Sequence, residues 1–146
     1  MSSNPLVGAW RLLSYMLVNE KGEVIEPLLF GPDPQGMLIY TEDGYMSATL
    51  MDAHRPGSSK PSASEVSTEE KERAFDTYLG YSGTYEQQRD RVTHHVRVSS
   101  LPNWTGSDQV RLMELDGDQL TLSLPPAQVN GELRIRKLTW RRLSSP

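Results

Sequence analysis

Two adjacent histidines, His94 and His95, lie between valines in the stretch VTHHVRV. Imidazole changes charge near neutral pH, so either residue is a candidate proton donor or acceptor. The alternating β-branched residues predict a strand, on which neighbouring side chains point to opposite faces. His94 then shares a face with Val92, Val96 and Val98, and His95 shares one with Thr93, Arg97 and Ser99. His94 is the expected inward residue and His95 the solvated one. A lone histidine on an apolar face is more often a satisfied core residue than a catalyst, so inward placement alone assigns no chemistry.

A second charged candidate comes from the hairpin QVRLMELDGDQLTLSL. With Gly117 and Asp118 as a two-residue turn, Leu115 pairs with Leu120, and one face carries Arg111, Met113, Leu115, Leu120, Leu122 and Leu124. Arg111 is thus expected among aliphatic residues on an inner face. A charge there is costly unless it is paired, meets an anion, or extends its head into water at a rim. Tyrosines supply flat apolar area with a hydroxyl, which suits aromatic or oxygenated ligands. The candidate ligand contacts are Tyr40, Tyr45, Tyr81 and Tyr85, with Met113 and Ser47. The turn TEDG leaves open whether Tyr40 faces with Ser47 or with Met46.

No HxH, HExxH or paired-carboxylate motif is present, and adjacent histidines on a regular strand cannot chelate one metal. GxSxG, GxGxxG and GxxxxGK[ST] are missing too, and the absence of cysteine removes disulfides and thiolate chemistry. Any catalysis is therefore expected to need no cofactor and no metal. It would rest on positioning, desolvation and one acid or base, with His94 and Arg111 as the catalytic candidates.

The elements that must position these residues are legible from turn signals. Strands are expected at Gly8 to Val18, Met37 to Tyr40, Tyr45 to Met51, Tyr81 to Glu86, Arg91 to Ser99, Gln109 to Leu115, Gln119 to Leu124 and Glu132 to Leu143. Regular alternation from Trp10 would bring Leu12, Ser14, Met16 and Val18 to the inner face. A helix is expected from Ser67 to Leu79, capped by Ser67 or Thr68, with Gly80 as its stop and Phe75, Tyr78 and Leu79 covering one opening or flank. The Pro, Gly and Ser-rich loop from His54 to Ser64 lacks apolar anchors and is expected to be the most mobile segment. These eight strands with short turns favour an all-β, eight-stranded antiparallel up-and-down barrel, with one helix between strands three and four. One domain over 1–146 is expected, and a barrel of this size holds one small ligand.

Gly8-x-Trp10 on the first strand and the arginines of LTWRRL on the last resemble the lipocalin/calycin signature. That resemblance implies a tryptophan closing the barrel floor with an arginine packed across it, Arg142 by position or else Arg141. The stretches GAWRLLSY, LIYTEDGYMSATLM, YLGYSGTYE and VTHHV, with the segment from Leu101 to Ser123, look like the lipocalin-like domain proteins of bacteria and fungi. Nearly the whole chain takes part. The helix after strand three differs from secreted lipocalins, which place theirs before the last strand, and this argues against a secreted carrier.

The formal charge of −4 and the lack of a basic cluster interleaved with aromatics argue against nucleic acid or an anionic membrane surface as partner. No signal peptide or membrane span is visible, so a cytoplasmic protein is expected, monomeric or homodimeric, and Asn103 in NWT matches the glycosylation pattern by chance. Three functions fit: a cofactor-independent cyclase or isomerase of a natural-product intermediate, a non-catalytic carrier of a small hydrophobic, oxygenated or aromatic molecule, and a haem-binding barrel with one histidine ligand.

Overall fold

The computed structural model of the chain describes residues 4–25, 30–58 and 60–144. The strands run in the order β1 (Gly8–Val18), β2 (Pro34–Tyr40), β3 (Tyr45–Asp52), β4 (Tyr78–Gln88), β5 (Arg91–Ser99), β6 (Asp108–Asp116), β7 (Gln119–Ser123), β8 (Ala127–Val129) and β9 (Glu132–Arg142). Every pairing is antiparallel, and β9 bonds to both β7 and β1, which closes an eight-stranded barrel of β1 to β7 and β9. The short strand β8 only forms a hairpin with the start of β9 and adds no stave. Closure leaves no barrel strand with an unpaired edge. The one α-helix among the described residues, α1 (Thr68–Asp76), follows β3 as the sequence predicts.

The helix is shorter than its periodicity suggested. Ser67 caps it by accepting from the Glu70 amide, and at its end the Thr77 amide and hydroxyl turn back to the Arg73 carbonyl. Tyr78 and Leu79 therefore belong to β4, where Leu79 pairs with Leu50. Gly80 is a strand residue as well. A Cβ there would lie 2.7 Å from the Tyr78 hydroxyl, so the glycine gives that ring room within the strand and does not stop a helix.

Two bulges reset the inward face. The first lies between Leu12 and Ser14 in the β1–β9 ladder and shifts the inner set from Trp10 and Leu12 to Tyr15 and Val18. Ser14 and Met16, expected inside by strict alternation, are half-buried, and Tyr15 takes the inner place. The second lies between Ser82 and Gly83 opposite Val96–Val98. It turns Val98 out to 62% exposure while Val92 and Val96 stay buried. Gly83 is forced, because a Cβ there would sit 1.9 Å from the His95 carbonyl oxygen.

One end of the barrel is sealed. The Trp10 indole donates to the Leu6 carbonyl at 3.0 Å, and the Arg142 guanidinium stacks over the Trp10 ring at 4.3 Å. Arg142 also donates to the Val7 and Pro5 carbonyls and pairs with Asp118, tying the residues before β1 across the floor. Arg142, and not the exposed Arg141, is the floor residue. Among the described residues no helix is long and apolar enough to cross a membrane.

Candidate functional site

The other end of the barrel leads into a cavity of about 240 Å³, lined mainly by apolar side chains. Phe75 and Asp76 at the end of α1 and Tyr78 and Leu79 at the start of β4 stand at its mouth, with Trp104 from the 3-10 turn Pro102–Trp104. Its polar groups are few: His94, Tyr81, Tyr15 and Arg111 and the Trp140 indole inside, and Asp76, Tyr78 and the exposed Arg136 of β9 towards the mouth.

His94 is 1% exposed, and tyrosines engage both of its ring nitrogens. The Tyr40 hydroxyl lies 2.6 Å from Nε2 and the Tyr81 hydroxyl 2.8 Å from Nδ1. Tyr40 is on β2 and His94 on β5, so the contact spans the barrel interior and is not a cross-strand neighbour pair. Burial above all, reinforced by the charge of Arg111 and by His95, pushes His94 down to about 3. The imidazole is therefore neutral at physiological pH and carries one N–H.

A proton count fixes the direction of this chain. The Tyr40 hydroxyl is buried and His94 is its one hydrogen-bond partner among the described residues. An unsatisfied O–H there would be costly, so Tyr40 donates to Nε2. Nδ1 then carries the hydrogen and donates to Tyr81 Oη. The Arg111 guanidinium also approaches the Tyr81 oxygen, always as donor. The remaining Tyr81 proton is free to be donated to whatever occupies the cavity. Burial raises the pKa of Tyr40 and of Tyr81, so both keep their protons at neutral pH.

Arg111 is 6% exposed. It donates to the Val110 carbonyl at 3.0 Å and lies 5.8 Å from the Trp104 ring centroid. Among the described residues no carboxylate comes within 4.0 Å of it. The Trp140 indole nitrogen is buried and has no acceptor among the described residues.

His94 and Arg111 thus meet at one cavity, as does Tyr81, and Leu115 pairs with Leu120 as the hairpin predicts. The other expected contacts are placed differently. Tyr40 pairs with Met46, which answers the register question, and it braces His94 from behind. Tyr85 packs on Tyr40 with ring centroids 4.6 Å apart and donates to the Thr41 carbonyl, and neither it nor the buried Met113 lines the cavity. Tyr45 is 53% exposed on the outside. Ser47 pairs with outward Ile39 and shares a hydrogen bond with the Ser82 hydroxyl on the outer surface. Both corrections follow from the Tyr40–Met46 register, which sends odd-numbered residues of β3 outward. His95 lies on the outer face, 2.7 Å from Asp108, and that carboxylate and Glu86 raise its pKa.

Sequence reasoning missed Tyr15, Trp104 and Arg136. A bulge leaves no mark in one sequence, an aromatic in a turn reads as loop, and Arg136 looks like any exposed strand cation. Both His94 nitrogens are occupied by tyrosines, which leaves none to face a haem iron. Among the described residues no cluster of histidine, aspartate and glutamate could hold a metal ion.

A closed antiparallel barrel with a tryptophan–arginine floor and one mouth leading to an apolar cavity defines a lipocalin-like protein. The family model described as lipocalin-like domain matches residues 7–143, and the chain belongs to that family. It is 37% identical over 110 residues to the 4′-hydroxy-3′-methoxypropiophenone carrier protein ppsC of Aspergillus oryzae, a match that covers 67% of this chain and 96% of the relative. A solved structure of a point mutant of the fluorescent protein UnaG aligns over 93% of this chain and 94% of that one, at 11% identity and a TM-score of 0.36.

Proposed function

We propose that this barrel binds and carries a small oxygenated aromatic molecule, such as an aryl ketone or phenol of a biosynthetic route. The observation that carries the reading is an apolar cavity whose inner end presents the Tyr81 hydroxyl and the Arg111 guanidinium as donors. Apolar walls supply burial of the ring, and a few fixed donors orient its oxygens. The volume of about 240 Å³ suits one substituted ring better than a tetrapyrrole or a long acyl chain. The printed name of the Aspergillus oryzae relative, a carrier of such an aryl ketone, supports the same ligand class.

A cofactor-independent isomerase or cyclase would draw on the same pair. Tyr81 would polarise a carbonyl and Arg111 would hold the resulting enolate oxygen. Such an enzyme also needs a base, and His94 is poorly suited because its basicity is depressed and both nitrogens are engaged. Carriage is therefore the reading the geometry supports best. Titration with 4′-hydroxy-3′-methoxypropiophenone, followed by quenching of Trp104 and Trp140 fluorescence, tests it. Saturable quenching with the ligand recovered unchanged is expected. Absence of binding to any aryl ketone or phenol overturns the reading, and recovery of a cyclised or isomerised product moves it to catalysis.

A further inference from the structure

We infer that the cavity holds its ligand through a deprotonated oxygen, a phenolate or enolate, seated against Arg111 and Tyr81. The inference rests on the carrier reading and specifies the charge state of what is carried.

A buried guanidinium carries a large desolvation cost and needs a counter-charge or a full set of acceptors. Arg111 has one carbonyl acceptor, at Val110, the neutral Tyr81 oxygen within reach and an aromatic ring beside it, but no counter-charge among the described residues. Among the described residues, the groups that face it from the packed strands are uncharged or cationic. Tyr15 on β1, Tyr40 on β2 and Tyr81 on β4 are protonated phenols, His94 on β5 is neutral, and Arg136 on β9 is a second cation at the mouth. The carboxylate that does line the cavity, Asp76, sits exposed at the end of α1, beyond ion-pair distance of Arg111. The free charge capacity of the site is therefore positive.

The neutral groups point the same way. The Tyr40–His94–Tyr81 chain delivers a donor at Tyr81, and the buried Trp140 N–H also lacks an acceptor among the described residues. A ligand oxygen that keeps its own proton would bring one more donor to this set, whereas an oxyanion brings acceptors and the missing charge. An apolar cavity by itself would favour the neutral phenol, so the two effects oppose each other. Within about 4–6 Å an opposite charge typically outweighs modest burial and lowers an acid's pKa by about 1–3 units.

The test uses para-nitrophenol, whose phenolate absorbs in the visible range, and its neutral methyl ether para-nitroanisole. The intact protein is titrated with each across pH. Bound para-nitrophenol should show its phenolate band at least about one pH unit below the free phenol, a tenfold gain in acidity. Arg111→Met should abolish that gain, and Arg111→Lys, which keeps the charge, should retain part of it. A bound phenol whose acidity is unchanged or reduced, with the ether binding as well or better, overturns the anion inference and leaves the carrier reading intact. Binding of neither compound overturns both. Should Arg111→Met fail to fold, the wild-type titration and Arg111→Lys still decide the matter.

Discussion

The Tyr40 hydroxyl reaches across the barrel to within 2.6 Å of His94 Nε2, joining β2 to β5 through the interior. Because Tyr40 has no other acceptor among the described residues, this bond sets the tautomer of His94 and makes Tyr81 a donor towards the cavity. Tyr40→Phe should leave Nε2 as an acceptor without a donor, with the hydrogen kept on Nδ1 by its bond to Tyr81. Heteronuclear NMR of the imidazole nitrogens should show the N–H on Nδ1 in the wild type, with the Nε2 resonance shifted in the variant by loss of its donor. The lost buried hydrogen bond should also cost about 1–3 kcal/mol in denaturant unfolding. An N–H found on Nε2 in the wild type would refute the direction assigned to the chain.

His94 should shape the acid limb of stability. Its folded value near 3 lies below the ordinary 6.5. Between those values the unfolded chain binds a proton on His94 that the folded chain does not, so stability is full above about pH 6.5 and declines as the pH falls towards 3. The loss should be on the order of a few kcal/mol, and His94→Phe should flatten that part of the curve whatever it does to stability at neutral pH. In NMR titrations the His94 resonances should stay fixed from about pH 5 to 8, whereas His95 should titrate above its ordinary value through its contacts with Asp108 and Glu86.

Gly83→Ala should damage the site through the backbone. Its Cβ would meet the His95 carbonyl oxygen at 1.9 Å, so β4 and β5 must part where Tyr81, Tyr85 and His94 are held. A loss of about 1–3 kcal/mol, as for overpacking, is expected, with weakened ligand quenching of Trp104. A variant with wild-type melting and binding would show that the bulge tolerates a side chain.

The sealed floor should be the more costly end to disturb. Trp10→Ala removes a fully buried indole, its bond to Leu6 and the stacking of Arg142, and should cost about 3–5 kcal/mol. Phe75→Ala at the mouth, where the ring is 51% exposed, should change stability within about 0.5 kcal/mol while speeding ligand release in stopped-flow measurements.

The sequence by itself determined the order of the barrel strands, the position of the helix and the inward turn of His94 and Arg111, while the Trp10 floor was implied by the resemblance of Gly8-x-Trp10 to the lipocalin signature. These follow from local causes: turn residues that end strands, a period of two that separates faces, and the DGD turn that sets one register. It left the register at Tyr40 open and could not show the bulges near Leu12 and Gly83, because a bulge is chosen by how barrel strands fit around a closed circle. That choice put Tyr15 inside and turned Val98 out, and the Tyr40–Met46 register left Tyr45 and Ser47 on the surface. Only the tertiary structure joined Tyr40, His94 and Tyr81 into one chain and left Arg111 without a carboxylate among the described residues. Those relationships link residues far apart in sequence, and whether a buried polar group is satisfied depends on what the closed barrel brings against it.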